Sequence, residues 1–190
     1  DELLTRHSAK PGDIVAVTGF LGSAATGLQI LLQKLPTSPK IKQKLTQYTL
    51  EPKAQLKIAM ELVKIKGITA SGDITDGLAW ELHKIAAASE CGIEIEEKKL
   101  PILEETKKVS KEFNLDLLEL IMHIGEDFEL ILTIDPKKWE KIQEICKKND
   151  VKISQIGNVT DKKNIVSMID KNGKMVNLQK KGYDQFLSRS

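Results

Sequence analysis

Apolar residues recur along this chain at two spacings, and the changes from one to the other mark its elements. Residues 14–18, Ile-Val-Ala-Val-Thr, follow the turn Lys10-Pro11-Gly12-Asp13 and predict a short buried strand. A glycine loop comes next, with Ser23 as a candidate N-cap for a helix over 24–34 that carries Leu28, Leu31, Leu32 and Leu35 at helical spacing. Pro36 and Pro39 stop it, since proline cannot continue the hydrogen-bond ladder. A basic, polar stretch over 40–47 leads to Pro52, which suits the first turn of a helix over 51–65 with Ala54, Ile58, Leu62 and Ile65 as its apolar stripe. Residues 67–72 read as a short strand and turn. Asp76 or Thr75 then caps a helix to about Glu90, with Leu78, Leu82, Ile85 and Ala86 inward and Glu81, Lys84 and Glu90 toward solvent.

Ile93 and Ile95 alternate with Glu94 and Glu96, the pattern of a half-buried strand. Helical stretches over 102–113 and 115–122 precede a strand over 128–134, where Glu129 is expected on the solvent side. Pro136 opens a helix with Trp139, Ile142, Ile145 and Cys146 on one face. Asn172-Gly173 predicts a two-residue hairpin turn of type I′ between 165–169 and 175–178. No repeat interrupts this order, and the whole reads as one α+β domain over 1–190, a mixed β-sheet packed with helices.

Composition narrows the function. The 190 residues are 41% hydrophobic and 29% charged with a net charge of +2, ordinary for a folded globular chain and without the excess expected of a nucleic-acid binder. Eight aromatics leave little for stacking bases. No apolar run approaches the roughly 20 residues of a membrane span, and the first residues lack the basic and apolar regions of a signal peptide. Cys91 and Cys146 make no CxxC pair, and buried free thiols in a reducing cytoplasm are expected. His7, His83 and His123 have no zinc-ligand spacing.

Three clusters are candidates for chemistry, and each has a plainer reading. Gly19 to Gly27 follows a strand and opens a helix, where amides can hold an anion, but Leu28 stands where a P-loop needs lysine. A tight, closely packed turn explains it as well. Ser71-Gly72-Asp73-Ile74-Thr75-Asp76-Gly77-Leu78 sets two carboxylates three positions apart, hard oxygen ligands of the kind Mg²⁺ takes. A helix cap and a solvated turn residue are the alternative. Gly125-Glu126-Asp127-Phe128-Glu129-Leu130 is an acidic pair entering a strand, which is also common loop decoration.

In order along the chain, Arg6-His7-Ser8-Ala9-Lys10-Pro11-Gly12-Asp13, Val17-Thr18-Gly19-Phe20-Leu21-Gly22, Leu35-Pro36, the Asp73–Leu78 element, Gly125–Leu130 and Gly182-Tyr183 resemble the thiamine-monophosphate kinases. More broadly they resemble the superfamily of aminoimidazole ribonucleotide synthetases, selenophosphate synthetases and hydrogenase-maturation factors. The likeness covers the whole chain but only the carboxy-terminal half of such an enzyme. It implies the fold of that superfamily's carboxy-terminal domain and ATP-dependent phosphorylation of thiamine monophosphate to thiamine diphosphate. It also implies roles: Asp73 and Asp76 as Mg²⁺ ligands, Arg6 and Thr75 on ATP, Glu126 and Tyr183 on thiamine monophosphate, and Asp127 as a further member of that substrate site.

Four positions depart from the family pattern: Ile124 for a glycine, Phe128 for tyrosine, Ser8 for glycine and Thr75 for serine. None removes a ligand. The resemblance further implies an absent amino-terminal domain with more metal-binding aspartates, much of the nucleotide site and a homodimer interface. This chain alone is therefore expected to be inactive. A free-standing ligand-binding module of the same fold, or another ATP-dependent synthetase of the superfamily, is the alternative reading.

Overall fold

The apolar run at 14–18 forms β1 (Ile14–Thr18), buried at every residue because both faces of its sheet are covered. The computed structural model describes residues 3–180. Within them β1 is followed by α1 (Ser23–Leu32), α2 (Pro39–Leu50), α3 (Leu56–Val63), β2 (Ile68–Ile74), α4 (Leu78–Ala88) and β3 (Gly92–Glu96). Next come α5 (Glu104–Glu112), α6 (Leu117–Glu119), a π-helical turn (Leu120–Ile124), β4 (Glu129–Ile134), α7 (Trp139–Lys148), β5 (Ile153–Thr160), β6 (Val166–Ile169) and β7 (Met175–Asn177). The seven strands lie in the order β2-β4-β1-β5-β3-β6-β7. Every pairing is antiparallel except β3 with β6, so the sheet is mixed, as expected.

Side-chain alternation on the inner strands feeds two cores. Val15, Val17, Ala70, Ile74 and Ile131 pack with Leu78, Leu82 and Ile85 of α4. Ile14, Ala16, Leu132 and Ile134 pack on the other face against Ile58 and Leu62 of α3 and Ile142 and Cys146 of α7. A third cluster joins Ile30 of α1, Leu45 of α2 and Val109 of α5. Cys91 and Cys146 are buried free thiols, as predicted.

Several expectations are corrected. Ser23 is not the cap of α1; the N-cap is Gly22 in the left-handed region, and Ser23 is buried with its hydroxyl 3.2 Å from that of Thr106. The polar stretch after Pro36 is itself a helix, α2, with Ser38 at the N-cap and Pro39 in the first turn. The helix expected over 51–65 is the shorter α3. Neither Thr75 nor Asp76 caps α4, whose N-cap is Gly77 without a side-chain hydrogen bond. The hairpin turn is not type I′: Asp170 pairs with Lys174 around three residues, with Gly173 (φ 84°) left-handed and Asn172 not. That is the three-residue connection built on a type I turn and a glycine bulge.

Candidate functional site

Two acidic segments fifty residues apart in sequence meet at one edge of the sheet. Asp73 and Ile74 end β2 and pair with Leu130 and Glu129 of β4, so the first segment is partly strand rather than a free turn. The loop entering β4 is then fastened to it by backbone, Glu126 N–H donating to the Thr75 carbonyl at 2.8 Å and Phe128 N–H to the Ile74 carbonyl at 2.9 Å. Gly77 (φ 97°) and Gly125 (φ 75°) make the approach possible, since a Cβ on Gly125 would strike the backbone of Thr75 and Gly77, and one on Gly77 the backbone of Met122 and His123. Glu126 (φ 66°) and Phe128 (φ 52°) are left-handed without being glycine. Such conformations are held only where surrounding contacts impose them, and they cluster at binding sites.

Arg6 arrives from the chain start. The Thr5 carbonyl accepts from Ser71 N–H at 2.8 Å, and the Arg6 carbonyl accepts from the Ser89 hydroxyl at 2.9 Å, which lays the segment along β2 and the end of α4. The Arg6 guanidinium donates to Glu81 at 3.0 Å and reaches Asp73 at 3.4 Å. Lys84 lies 2.6 Å from Glu81 and 3.9 Å from Asp76. Arg6, Asp73, Thr75, Asp76 and Glu126 are thereby brought to one edge of the fold, whereas Tyr183 lies outside the described residues. Asp73 keeps 60% of its side chain exposed and Asp76 35%. Among the described residues no group of three or more His, Cys, Asp or Glu could hold a metal ion by itself. Two accessible carboxylates nevertheless suit Mg²⁺, which commonly takes one or two protein carboxylates and completes its shell with water and substrate phosphates.

Asp127 points elsewhere. It is buried, and its two oxygens accept from Gly22 N–H at 2.9 Å and Ala24 N–H at 3.5 Å, capping α1 from a distant part of the chain. Burial, opposed by those amides and reinforced by the Glu129 carboxylate, pushes its carboxyl up to about 7. Glu129 is not on a solvent face either: it is buried, accepts from the Thr18 hydroxyl, and burial raises its pKa. Both line a cavity of about 400 Å³ with Phe20, Tyr48, Lys53 and Lys152. The glycine cluster at 19–27 thus serves the tight turn and close packing, Gly27 standing where a Cβ would meet the Leu45 carbonyl of α2.

Glu81 and Lys84, read from the sequence as solvent-facing, were the residues missed. Glu81 is wholly buried. The signal was its position on the stripe Leu78, Leu82, Ile85, where a carboxylate demands cations.

The family model for AIR synthase related protein, C-terminal domain, matches residues 10–170. The chain is 36% identical over 185 residues to thiamine-monophosphate kinase of Bacillus subtilis (strain 168), covering 95% of this chain and 55% of that protein. It is 40% identical over 136 residues to thiamine-monophosphate kinase of Pyrococcus horikoshii, covering 72% and 40%. Among solved structures, AaThiL complexed with AMPPCP and TMP superposes with a TM-score of 0.80 at 28% identity, over 96% of this chain and 54% of that one. The hydrogenase maturation protein HypE of E. coli superposes at a TM-score of 0.74 and 22% identity over 98% and 55%, a likeness of fold. The chain spans about half the length of the curated relatives it matches.

Proposed function

Because the chain belongs to the family of the AIR synthase related protein, C-terminal domain, we propose that it supplies the carboxy-terminal half of a thiamine-monophosphate kinase. The reaction is transfer of the ATP γ-phosphoryl group to the phosphate of thiamine monophosphate, giving thiamine diphosphate. The relatives named above support the choice of substrate, and AaThiL was captured with an ATP analogue and TMP. The observation that carries the reading in this chain is the backbone junction at Gly77 and Gly125, which holds the Asp73–Asp76 segment and Glu126 beside each other under Arg6.

Phosphoryl transfer asks a protein mainly to position the reactants and to offset charge. Asp73 and Asp76 would hold Mg²⁺, which when bound screens the phosphate charges. Arg6 presents a planar guanidinium suited to phosphate oxygens, and Thr75 offers a hydroxyl between the two aspartates. Glu126, exposed and fixed in a strained conformation, is the acceptor for the cationic heterocycle of thiamine monophosphate, with Tyr183 as the stacking partner. The rest of the nucleotide site, the homodimer contact and the remaining metal ligands belong to an amino-terminal half.

Asp73→Asn in the complete two-domain protein tests this. Its side chain is mostly exposed and touches Arg6 at 3.4 Å, so stability should change by no more than about 0.5 kcal/mol. Loss of a charge that steadies the transferring phosphate should lower Mg²⁺-dependent formation of thiamine diphosphate roughly 10²-fold or more. A rate equal to that of the unsubstituted protein would reduce Asp73 to a strand-end residue and remove the assignment.

A further inference from the structure

Glu81 stands on α4 with no solvent exposure, and a carboxylate is retained in such a place when its charge is paired. Here both oxygens are taken, Oε2 by Arg6 Nε at 3.0 Å and Oε1 by Lys84 Nζ at 2.6 Å. The space for this arrangement comes from Gly72 in β2: a Cβ there would sit 2.7 Å from Glu81 Oε2 and 3.4 Å from Arg6 Nε. The two cations are rooted in the interior but not enclosed by it, since Arg6 is 40% exposed and Lys84 33%. Each also reaches outward to an aspartate, Arg6 to Asp73 and Lys84 to Asp76.

From this we infer that Lys84 is a second phosphate-binding cation of the site and that Glu81 is the positioning residue that aims Lys84 and Arg6. The inference rests on the kinase reading above. Two cations against three carboxylates leave the cluster one negative charge, favourable to a divalent cation and poor for a bare polyphosphate. With a Mg²⁺–nucleotide complex bound, Asp73 and Asp76 would be the carboxylates that hold the metal. Arg6 and Lys84, still fixed by Glu81, then face phosphate oxygens. A lysine tied at its root to a buried glutamate loses less freedom on binding phosphate than one that is free, the gain known as preorganisation. The i,i+3 spacing of Glu81 and Lys84 on α4 gives that tie without help from another element.

The test measures binding of Mg²⁺·AMPPCP to the complete two-domain protein by titration calorimetry at low and high salt. Lys84→Gln should raise Kd about tenfold, the loss expected for one charge-assisted hydrogen bond, and should flatten the salt dependence. Lys84→Arg should stay within about twofold and keep that salt dependence, since charge and donor remain. Glu81→Gln should weaken binding at least as much as Lys84→Gln, because two cations lose their anchor. Should Glu81→Gln fail to fold, the two Lys84 variants decide, their side chain being partly exposed. Asp73→Asn serves as the control for the underlying reading. Loss of binding in Asp73→Asn with unchanged Kd and salt slope in Lys84→Gln overturns this inference and leaves the kinase reading standing. No binding of Mg²⁺·AMPPCP by the unsubstituted protein overturns both.

Discussion

Asp127 accepts hydrogen bonds from the first amides of α1, and the cost of burying its carboxyl sets a pH dependence for the fold. Its pKa rises from 3.8 to about 7. Below the lower value the folded and unfolded chains both hold the proton, and the contribution is fully present. Between the two values the unfolded chain releases the proton while the folded chain keeps it, so stability falls as pH rises. Asp127→Asn keeps an oxygen for capping and cannot ionise. The stability difference between the original and the Asn variant should therefore move against the original from about pH 4 to pH 7, by at most roughly 1.4 kcal/mol per pH unit. Urea unfolding of both proteins at several pH values measures it, and a constant difference would show that burial does not hold the proton. The same acidic segment shows the limit of sequence reading at single residues. Glu126 is exposed and Asp127 buried, although nothing in the local string separates them. Glu81 was legible in principle, because its place among Leu78, Leu82 and Ile85 put it on the apolar face; treating it by residue type alone sent it to solvent.

Among the elements, periodicity located β1, β2, β3, β4, α4 and α7 within a few residues, since each buries a face whose pattern is visible in the chain. It passed over α2, which has only Leu45 and Thr46 buried along its length and little stripe to see. There the punctuation held the information: Ser38 before Pro39 is an N-cap followed by the first helical position, so the proline read as a stop was also a start. The hairpin failed for another reason. Asn-Gly permits a type I′ turn, but Asp170 accepts from both Asn172 N–H and Lys174 N–H at 2.8 Å and stabilises the longer connection. The glycines that join elements differ in what they cost to replace. Gly173 has φ 84° and nothing within 4 Å of a built Cβ, so Gly173→Ala should lose about 1 kcal/mol, from backbone conformation alone. Gly125→Ala adds a collision with the backbone of Thr75 and Gly77 and should lose at least about 2 kcal/mol. Equal denaturation midpoints for the two variants would mean that the junction can open without loss.

At the scale of the molecule, the sheet is covered on both faces, and the residues assigned to chemistry gather where β2 ends and β4 begins. The described residues bring two accessible aspartates, one arginine and one lysine to that edge, and no set of three or more metal-ligating side chains that could close around an ion. A triphosphate and its metal need more neutralising groups than that, and a reacting phosphate must also be held in line with its acceptor. Relatives roughly twice as long as this chain have room for the remainder. The 190-residue chain by itself should therefore form no thiamine diphosphate from Mg²⁺·ATP and thiamine monophosphate. A protein of the relatives' full length carrying this chain should form it, and adding the amino-terminal half of such a relative as a separate polypeptide should restore part of that rate. A product assay on the three preparations side by side distinguishes the cases. Turnover by the chain alone would mean that Arg6, Asp73, Asp76 and Glu126 suffice to hold both substrates, and the half-site assignment would have to be withdrawn.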